Sequence, residues 1–341
     1  MTGVLPNVID QLTGLNVIYL PNNSISGVIP PEVSKLPILN ALIISNNQLS
    51  GQILLLPTSI IILDISMNRL SGNLPLSFRA PNLQILILSS NNTMGEVPDS
   101  ICESQNMQFL DLSNNLFEGE LPRCASMKGM LFLLLSNNSF SGMFRSWIQS
   151  FSSLVVLDLS WNMLRGTIPR WIENLSSLRF LQLSHNMFSG DIPVNITDLV
   201  LSIVMKHNVL RYGPLGIVSM VGIDLSLNNL TGEIPEEITS LDRLSNLNLS
   251  RNHLSGNIPK NIRSIKLMES LDLSRNDLYG EIPSSLSDLT YLSSLDLSYN
   301  NLTGKITSGP QLDTLYSGNP SIYDGNSGLC GPPLRKNAET I

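Results

Sequence analysis

LSSLRFLQLSHNMFSGDIP, from Leu175 to Pro193, is the clearest copy of a phrase that runs along almost all of the 341 residues. In general form it reads L-x-x-L-x-x-L-x-L-x-x-N-x-L-x-G-x-I-P. Its Asn falls at Asn23, Asn47, Asn68, Asn91, Asn115, Asn138, Asn162 and Asn186, then at Asn228, Asn252, Asn276 and Asn300, mostly in steps of 23 or 24 residues. A fixed period in this range marks a solenoid, in which each unit buries its apolar side only against its neighbours. Solenoids present extended surfaces, so the period bears on function as well as on fold.

Within one copy, the leucines of LRFLQLS alternate with other residues at strand period. The pattern predicts Leu178, Leu181 and Leu183 inside, with Phe180, Gln182 and Ser184 outside. Asn186 follows the strand, where the chain must turn inward. A buried amide there bonds backbone groups that the turn leaves unpaired, and stacked copies make a ladder. Gly190 permits a tight turn and Pro193 starts an extended stretch. The expected fold is an α/β solenoid: a parallel β-sheet on the concave face, with short 3-10 or irregular turns on the convex face. With strands about 4.8 Å apart, roughly 13 units give an inner face on the order of 60 Å long.

The register breaks once, between Pro193 and Val221, where Arg211-Tyr212-Gly213-Pro214 stands in place of G-x-I-P. The organisation read from this is repeats over 1–198 (about eight full copies), an interruption or degenerate repeat over 199–220, four repeats over 221–307, a turn-rich cap-like segment over 308–334 and a tail over 335–341. The chain opens in mid-phrase, with Thr2-Gly3-Val4-Leu5-Pro6 matching L-T-G-x-I-P, which predicts a piece of something longer.

Charged residues are 14% of the chain, against about 25% in typical soluble domains. The net charge of −7 is spread out, and without a Lys/Arg block nucleic acid is not an expected partner. No run of 18 apolar residues is present, so no membrane segment is expected, and MTGVLPNV lacks the basic start and apolar stretch of a signal peptide. Asp272 and Asp296 share a column, but both belong to the phrase L-D-L-S, which recurs at Asp64, Asp111, Asp158 and Asp224. A recurring phrase without a cleft does not make a catalytic pair. His185, His207 and His253 lack metal-ligand spacing. No catalytic residue, metal or cofactor is expected.

The ending L-x-G-x-I-P resembles that of plant-type leucine-rich repeats. Three features narrow the resemblance to plant leucine-rich-repeat receptor-like proteins. VMKHNVLRYG...VSMVGIDLSLNNLTGEIP resembles the island before their last four repeats, NPSIYDGNSGLCGPPL resembles their C-terminal cap, and SICESQNMQFLDLSNNLFEGELPRC resembles a Cys-paired repeat common in them. The resemblance implies a leucine-rich-repeat superhelix and a non-catalytic recognition module for a peptide or protein, in defence or developmental signalling. It also implies a co-receptor kinase as partner and a place at the extracellular face of the plasma membrane. The alternative is a secreted inhibitor similar to polygalacturonase-inhibiting proteins, which end in paired-Cys caps and have no island.

Cys102 and Cys124 take nearly equivalent places one coil apart, 11 and 9 residues after Asn91 and Asn115. Adjacent coils bring such places within disulfide reach. The resemblance to secreted proteins favours a bond over two buried thiols and leaves Cys330 as the odd cysteine. N-x-S/T sequons make Asn22, Asn91, Asn137, Asn174, Asn195, Asn229 and Asn301 candidate glycosylation sites. Asn174 and Asn195, outside the strands, are expected to be the most accessible; Asn248 also heads a sequon but lies on the strand face.

Positions six, four and two residues before the ladder Asn are read as outward, bordered by the residue just before it. In the last four repeats they are bland: Asp224, Asn248, Asp272 and Asp296, with Ser226, Ser250, Ser274 and Ser298. In the middle repeats they become Ile85, Ile87, Phe109, Phe132, Leu134, Val156, Trp161 and Phe180, edged by Arg179, Gln182 and His185. Exposed apolar residues clustered on one face mark an interaction site, so these eleven residues are the expected ligand-binding face.

Overall fold

A computed structural model of the chain describes residues 1–124, 126–194, 196 and 221–334. They belong to two compact units, Met1–Arg165 and Gly166–Ile341.

In each unit a coil contributes short strands on either side of its ladder Asn. The strands before the Asn form a front sheet, and those after it form a side sheet. The front sheet of the first unit runs Val17–Tyr19, Ala41–Ile43, Ile62–Asp64, Ile85–Ile87, Phe109–Asp111, Phe132–Leu134 and Val156–Asp158. All neighbours are parallel, and each residue pairs with its equivalent in the next coil. The side sheet includes Arg69–Asn73, Asn92–Glu96, Leu116–Glu120 and Ser139–Met143, also parallel. Between side and front strands lie turns such as the 3-10 segments Pro31–Lys35 and Asp99–Glu103, each preceded by an extended Pro.

The second unit repeats the plan. Its front sheet holds Phe180–Gln182, Val221–Asp224, Leu244–Asn248, Ser270–Asp272 and Ser294–Asp296. The interruption expected at 199–220 lies outside the described residues. On either side of it the sheet is continuous, with Phe180, Leu181 and Gln182 pairing directly with Gly222, Ile223 and Asp224. An α-helix, Pro310–Gly318, and a 3-10 turn, Pro320–Tyr323, follow the last front strand.

The ladder explains why this coil recurs. The Nδ2 of Asn115 donates to the carbonyls of Leu88, Leu112 and Ser113, and its Oδ1 accepts from the backbone N–H of Thr93. In the second unit Asn252 does the same with Leu225, Leu249, Ser250 and Leu230. Each buried amide thus satisfies groups on two coils at once. Asn326 continues the ladder, donating to Leu297, Tyr323 and Asp324 and accepting from Leu302. The phrase missed it because Leu329 stands three residues after this Asn rather than two.

One expectation about the strand fails, for a physical reason. Leu178, Leu181 and Leu183 are in the core, but Ser184 is buried as well, and the front strand stops at Gln182. Serines two before the ladder Asn are where the chain already turns. The N–H and hydroxyl of Ser66, Ser113, Ser160 and Ser250 donate to the Oδ1 of Asp64, Asp111, Asp158 and Asn248. L-D-L-S is therefore a turn in which the side chain replaces a missing backbone partner. Among the described residues, the one that follows is left-handed from coil to coil, with φ between 52° and 58° from Asn22 to Tyr299. Among the described residues, no helix is long and apolar enough to cross a membrane.

Candidate functional site

In the first unit the front sheet exposes a column six residues before the ladder Asn. Strand pairing sets Ile85, Phe109, Phe132 and Val156 side by side on successive strands. The same column continues through Ile62, Ala41 and Val17, which the sequence reading missed although they stand at the same spacing. Seven strands at about 4.8 Å make an unbroken apolar stripe about 29 Å long. Ile85, Phe109 and Val156 are half-buried. Phe132, expected as an exposed contact, is only 5% exposed: its ring centroid lies 5.1 Å from that of Phe109, and its edges are covered.

Two places further on, the residues alternate. Asp64, Asp111 and Asp158 make the serine turn; Ile87 and Leu134, on the strands between them, are half-buried aliphatics. Trp161 is 55% exposed in the left-handed position. It borders a shallow depression of about 310 Å³ lined by Asn114, Ser136, Asn137 and Ser160.

In the second unit, Phe180 and Gln182 are half-buried on the first front strand. The Phe180 ring leans over Gly222, where a Cβ would come within 3.2 Å of its Cδ1. Arg179, expected to fix a polar end of a ligand, is instead buried at 8% exposure; it stands just before the strand Phe180–Gln182, at the same alternation as the core residues Leu181 and Leu183. His185 is half-buried at φ 53°. Burial lowers the pKa of its imidazole from the ordinary value, Asp224 pulls it back up, and the charge of Arg251 presses it down again. Beyond Phe180 the column becomes Gly222, Asn246, Ser270 and Ser294.

Cys102 and Cys124 are bonded to each other, tying the turn Asp99–Glu103 to the next coil; Cys330 is a buried thiol. Asn22, Asn137, Asn174, Asn229 and Asn301 are exposed. Asn195 lies outside the described residues. Asn91 is a correction: it is buried, and its Nδ2, the atom that would carry a glycan, donates to Ile65, Leu88 and Ser89 within the ladder. Asp272 and Asp296 pair across adjacent strands, each accepting from the N–H of the serine two residues on, Ser274 or Ser298. They are turn-makers like the other copies.

Two family profiles, both described as leucine-rich repeat, match the chain. One covers 132–188; the other covers 14–36, 106–126, 219–241, 243–265, 268–289 and 291–311. Together they take in more than half of the residues, and the chain belongs to the leucine-rich-repeat proteins. Comparison with curated protein sequences returns no match. Among solved structures it is similar to the plant peptide hormone receptor RGFR1 in complex with RGF2, at 29% identity and TM-score 0.73 over 93% of this chain and 52% of that one. It is also similar to the Arabidopsis receptor kinase HAESA in complex with the peptide hormone IDA and the co-receptor SERK1, at 32% identity and TM-score 0.64 over 98% of this chain and 61% of that one. A plant ice-binding protein matches at 28% identity and TM-score 0.54, over 73% of this chain and 81% of that one. The chain spans little more than half the length of the two receptors it matches.

Proposed function

We propose that this chain is a non-catalytic ligand-recognition module whose ligand, a peptide or protein segment, lies along the apolar column of the first unit's front sheet. One observation carries the reading. Val17, Ala41, Ile62, Ile85, Phe109, Phe132 and Val156 form a continuous apolar stripe at a place where the same coil, in the second unit, accepts glycine, asparagine and serine. The coil of the second unit folds without apolar side chains there; in the first unit Ala41 and Phe132 are buried but Val17, Ile62, Ile85, Phe109 and Val156 keep solvent exposure, and such apolar exposure along one face normally serves a partner. An extended peptide of about nine residues would cover about 29 Å. Likeness to receptors bound to peptide hormones and a co-receptor supports a place in an extracellular plant receptor, in defence or developmental signalling, with a co-receptor kinase as second partner.

The ice-binding relative suggests a second reading, ordered water on the regular side sheet. Along that sheet Ser26 pairs with Gln48, Ser50 with Arg69 and Ser71 with Asn92, so no serine faces its equivalent on the next strand, which breaks the array such a surface needs. The recognition reading is therefore the better supported.

The test uses the fold's own alternative residue. Ser89 and Ser136 already stand two places after Ile87 and Leu134, and Asn248 makes the serine turn without a charge, so Ile87→Asn/Leu134→Asn, made in a host that does not glycosylate, recreates the turn and leaves the coil folded. Peptides selected from a displayed library on the native chain should bind this variant at least tenfold more weakly, with thermal unfolding unchanged. Equal binding by both would sink the proposal.

A further inference from the structure

The left-handed residue before each ladder Asn is a place where Asn is least strained, and Asn fills it at Asn22, Asn46, Asn114 and Asn137. Two consecutive coils of the second unit place arginine there instead. Arg251 and Arg275 have φ of 54° and 56°, follow the paired residues Asn248 and Asp272 by three positions, and so stand at the same height on adjacent coils. Like charges directly opposite one another on neighbouring strands repel. The pair therefore works against the fold twice, by backbone conformation and by charge.

Nothing nearby neutralises it. Among the described residues, no carboxylate lies within 4.0 Å of either guanidinium. Asp277, two residues after Arg275, lies 3.9 Å from His253 Nδ1 instead, and Asp272 and Asp296 are engaged by the N–H groups of Ser274 and Ser298. The backbone beneath is fixed: Arg251 N–H donates to Ser274 and Arg275 N–H to Ser298, at 2.9 and 2.8 Å. Both side chains are exposed, and the Arg275 guanidinium lies 4.2 Å over the centroid of the Tyr299 ring, which fills the same place on the next coil. The result is a rigid edge with two unpaired guanidiniums and an aromatic face.

We propose that Arg251, Arg275 and Tyr299 form an anion-recognising edge that takes a carboxylate-bearing segment of an acidic peptide or protein partner. Each planar guanidinium matches a carboxylate bidentately. Asp272, Asp277 and Asp296 on the same coils repel a densely charged polyphosphate, whereas carboxylates spaced singly along a peptide fit between them. The proposal rests on the reading of the chain as a recognition module but uses none of the apolar column.

The test uses the full chain and a fluorescein-labelled hexaglutamate peptide, read by fluorescence anisotropy at low salt. Arg251→Asn/Arg275→Asn installs the residue that other coils use at this place. It should weaken the peptide at least tenfold while the thermal midpoint stays level or rises. Arg243→Gln/Arg263→Gln removes the same charge from exposed sites elsewhere in the unit and should change affinity less than twofold. Equal weakening by the two variants would reduce the edge to general electrostatics and overturn the proposal, as would no binding by the native chain. A drop of the Arg251→Asn/Arg275→Asn midpoint by several degrees would show the arginines serving the fold, and sulfate displacing the peptide at equal concentration would overturn the carboxylate assignment. Ile87→Asn/Leu134→Asn, which adds no charge, should keep full hexaglutamate affinity, which separates failure here from failure of the apolar face of the first unit.

Discussion

The two front sheets share one backbone and carry two different surfaces. In both units the strands are parallel and in register, the ladder Asn makes the same bonds, and an Asp or Asn four places before it holds a serine turn. Six places before the ladder Asn, the first unit holds Val, Ala, Ile, Ile, Phe, Phe and Val, whereas the second, after Phe180, holds Gly, Asn, Ser and Ser. The comparison works as an internal control. What both sheets share is what the coil needs, and what differs is free to serve something else. By that rule the apolar column of the first unit and the arginine column of the second are surfaces rather than scaffold.

The largest expected effect tests the shared part. Asn115→Ala and Asn252→Ala each remove a buried amide and leave carbonyls of two coils without a donor. Each should cost about 3 kcal/mol in urea unfolding, and the two costs should agree. A clear inequality would break the claim that the scaffold is the same in both units.

The next effect tests the part that differs. Phe132→Ala removes a ring that is 5% exposed and packed on Phe109, and should cost about 2–3 kcal/mol. Ser270→Ala, in the same column of the second unit, should stay within about 0.5 kcal/mol. The Phe132 result also shows why this side chain makes a poor probe of binding: its loss disturbs the coil as well as the surface.

Much of this was legible in the sequence. Period, the front parallel sheet and the ladder from Asn23 to Asn300 follow from spacing, because each depends on which residues are equivalent from coil to coil; spacing also puts Cys102 and Cys124 within reach, and the resemblance to secreted proteins favours the bond. What escaped depends on side-chain direction at a turn. Ser184 and Arg179 sit at the ends of a strand only three residues long, where strict alternation no longer assigns faces. Asn91 satisfies a sequon and the ladder phrase at once, and only the hydrogen bonds of its Nδ2 decide between them. Val17, Ala41 and Ile62 were within reach: the period marks them, but the apolar column was read only from Ile85 onward. Asn326 was hidden by one extra residue before Leu329.

The smallest effect sharpens the comparison at the serine turn. In the first unit the turn carboxylates Asp64, Asp111 and Asp158 are separated by Ile87 and Leu134, so no two stand on adjacent strands. In the second unit Asp272 and Asp296 do. Burial raises the pKa of the Asp272 carboxyl above its ordinary 3.8; the Ser274 N–H and hydroxyl oppose this, and the charge of Asp296 adds to it. The folded chain therefore holds this proton more tightly than the unfolded chain. The stability that it contributes is present below the ordinary pKa and lost as pH rises through the raised one. At neutral pH the ionised group is a small liability, and Asn248 shows that an uncharged amide makes the same turn. Asp272→Asn should therefore stabilise the chain by about 0.5 kcal/mol at pH 7, allowing for solvent screening. The gain should fade as pH falls and vanish below 3.8. The protein must come from a host that does not glycosylate, since the change creates an N-x-S sequon ending at Ser274. Asp64→Asn, with no carboxylate on either neighbouring strand, should gain less; an equal gain at both positions would show that the stacked carboxylates do not distinguish the two units.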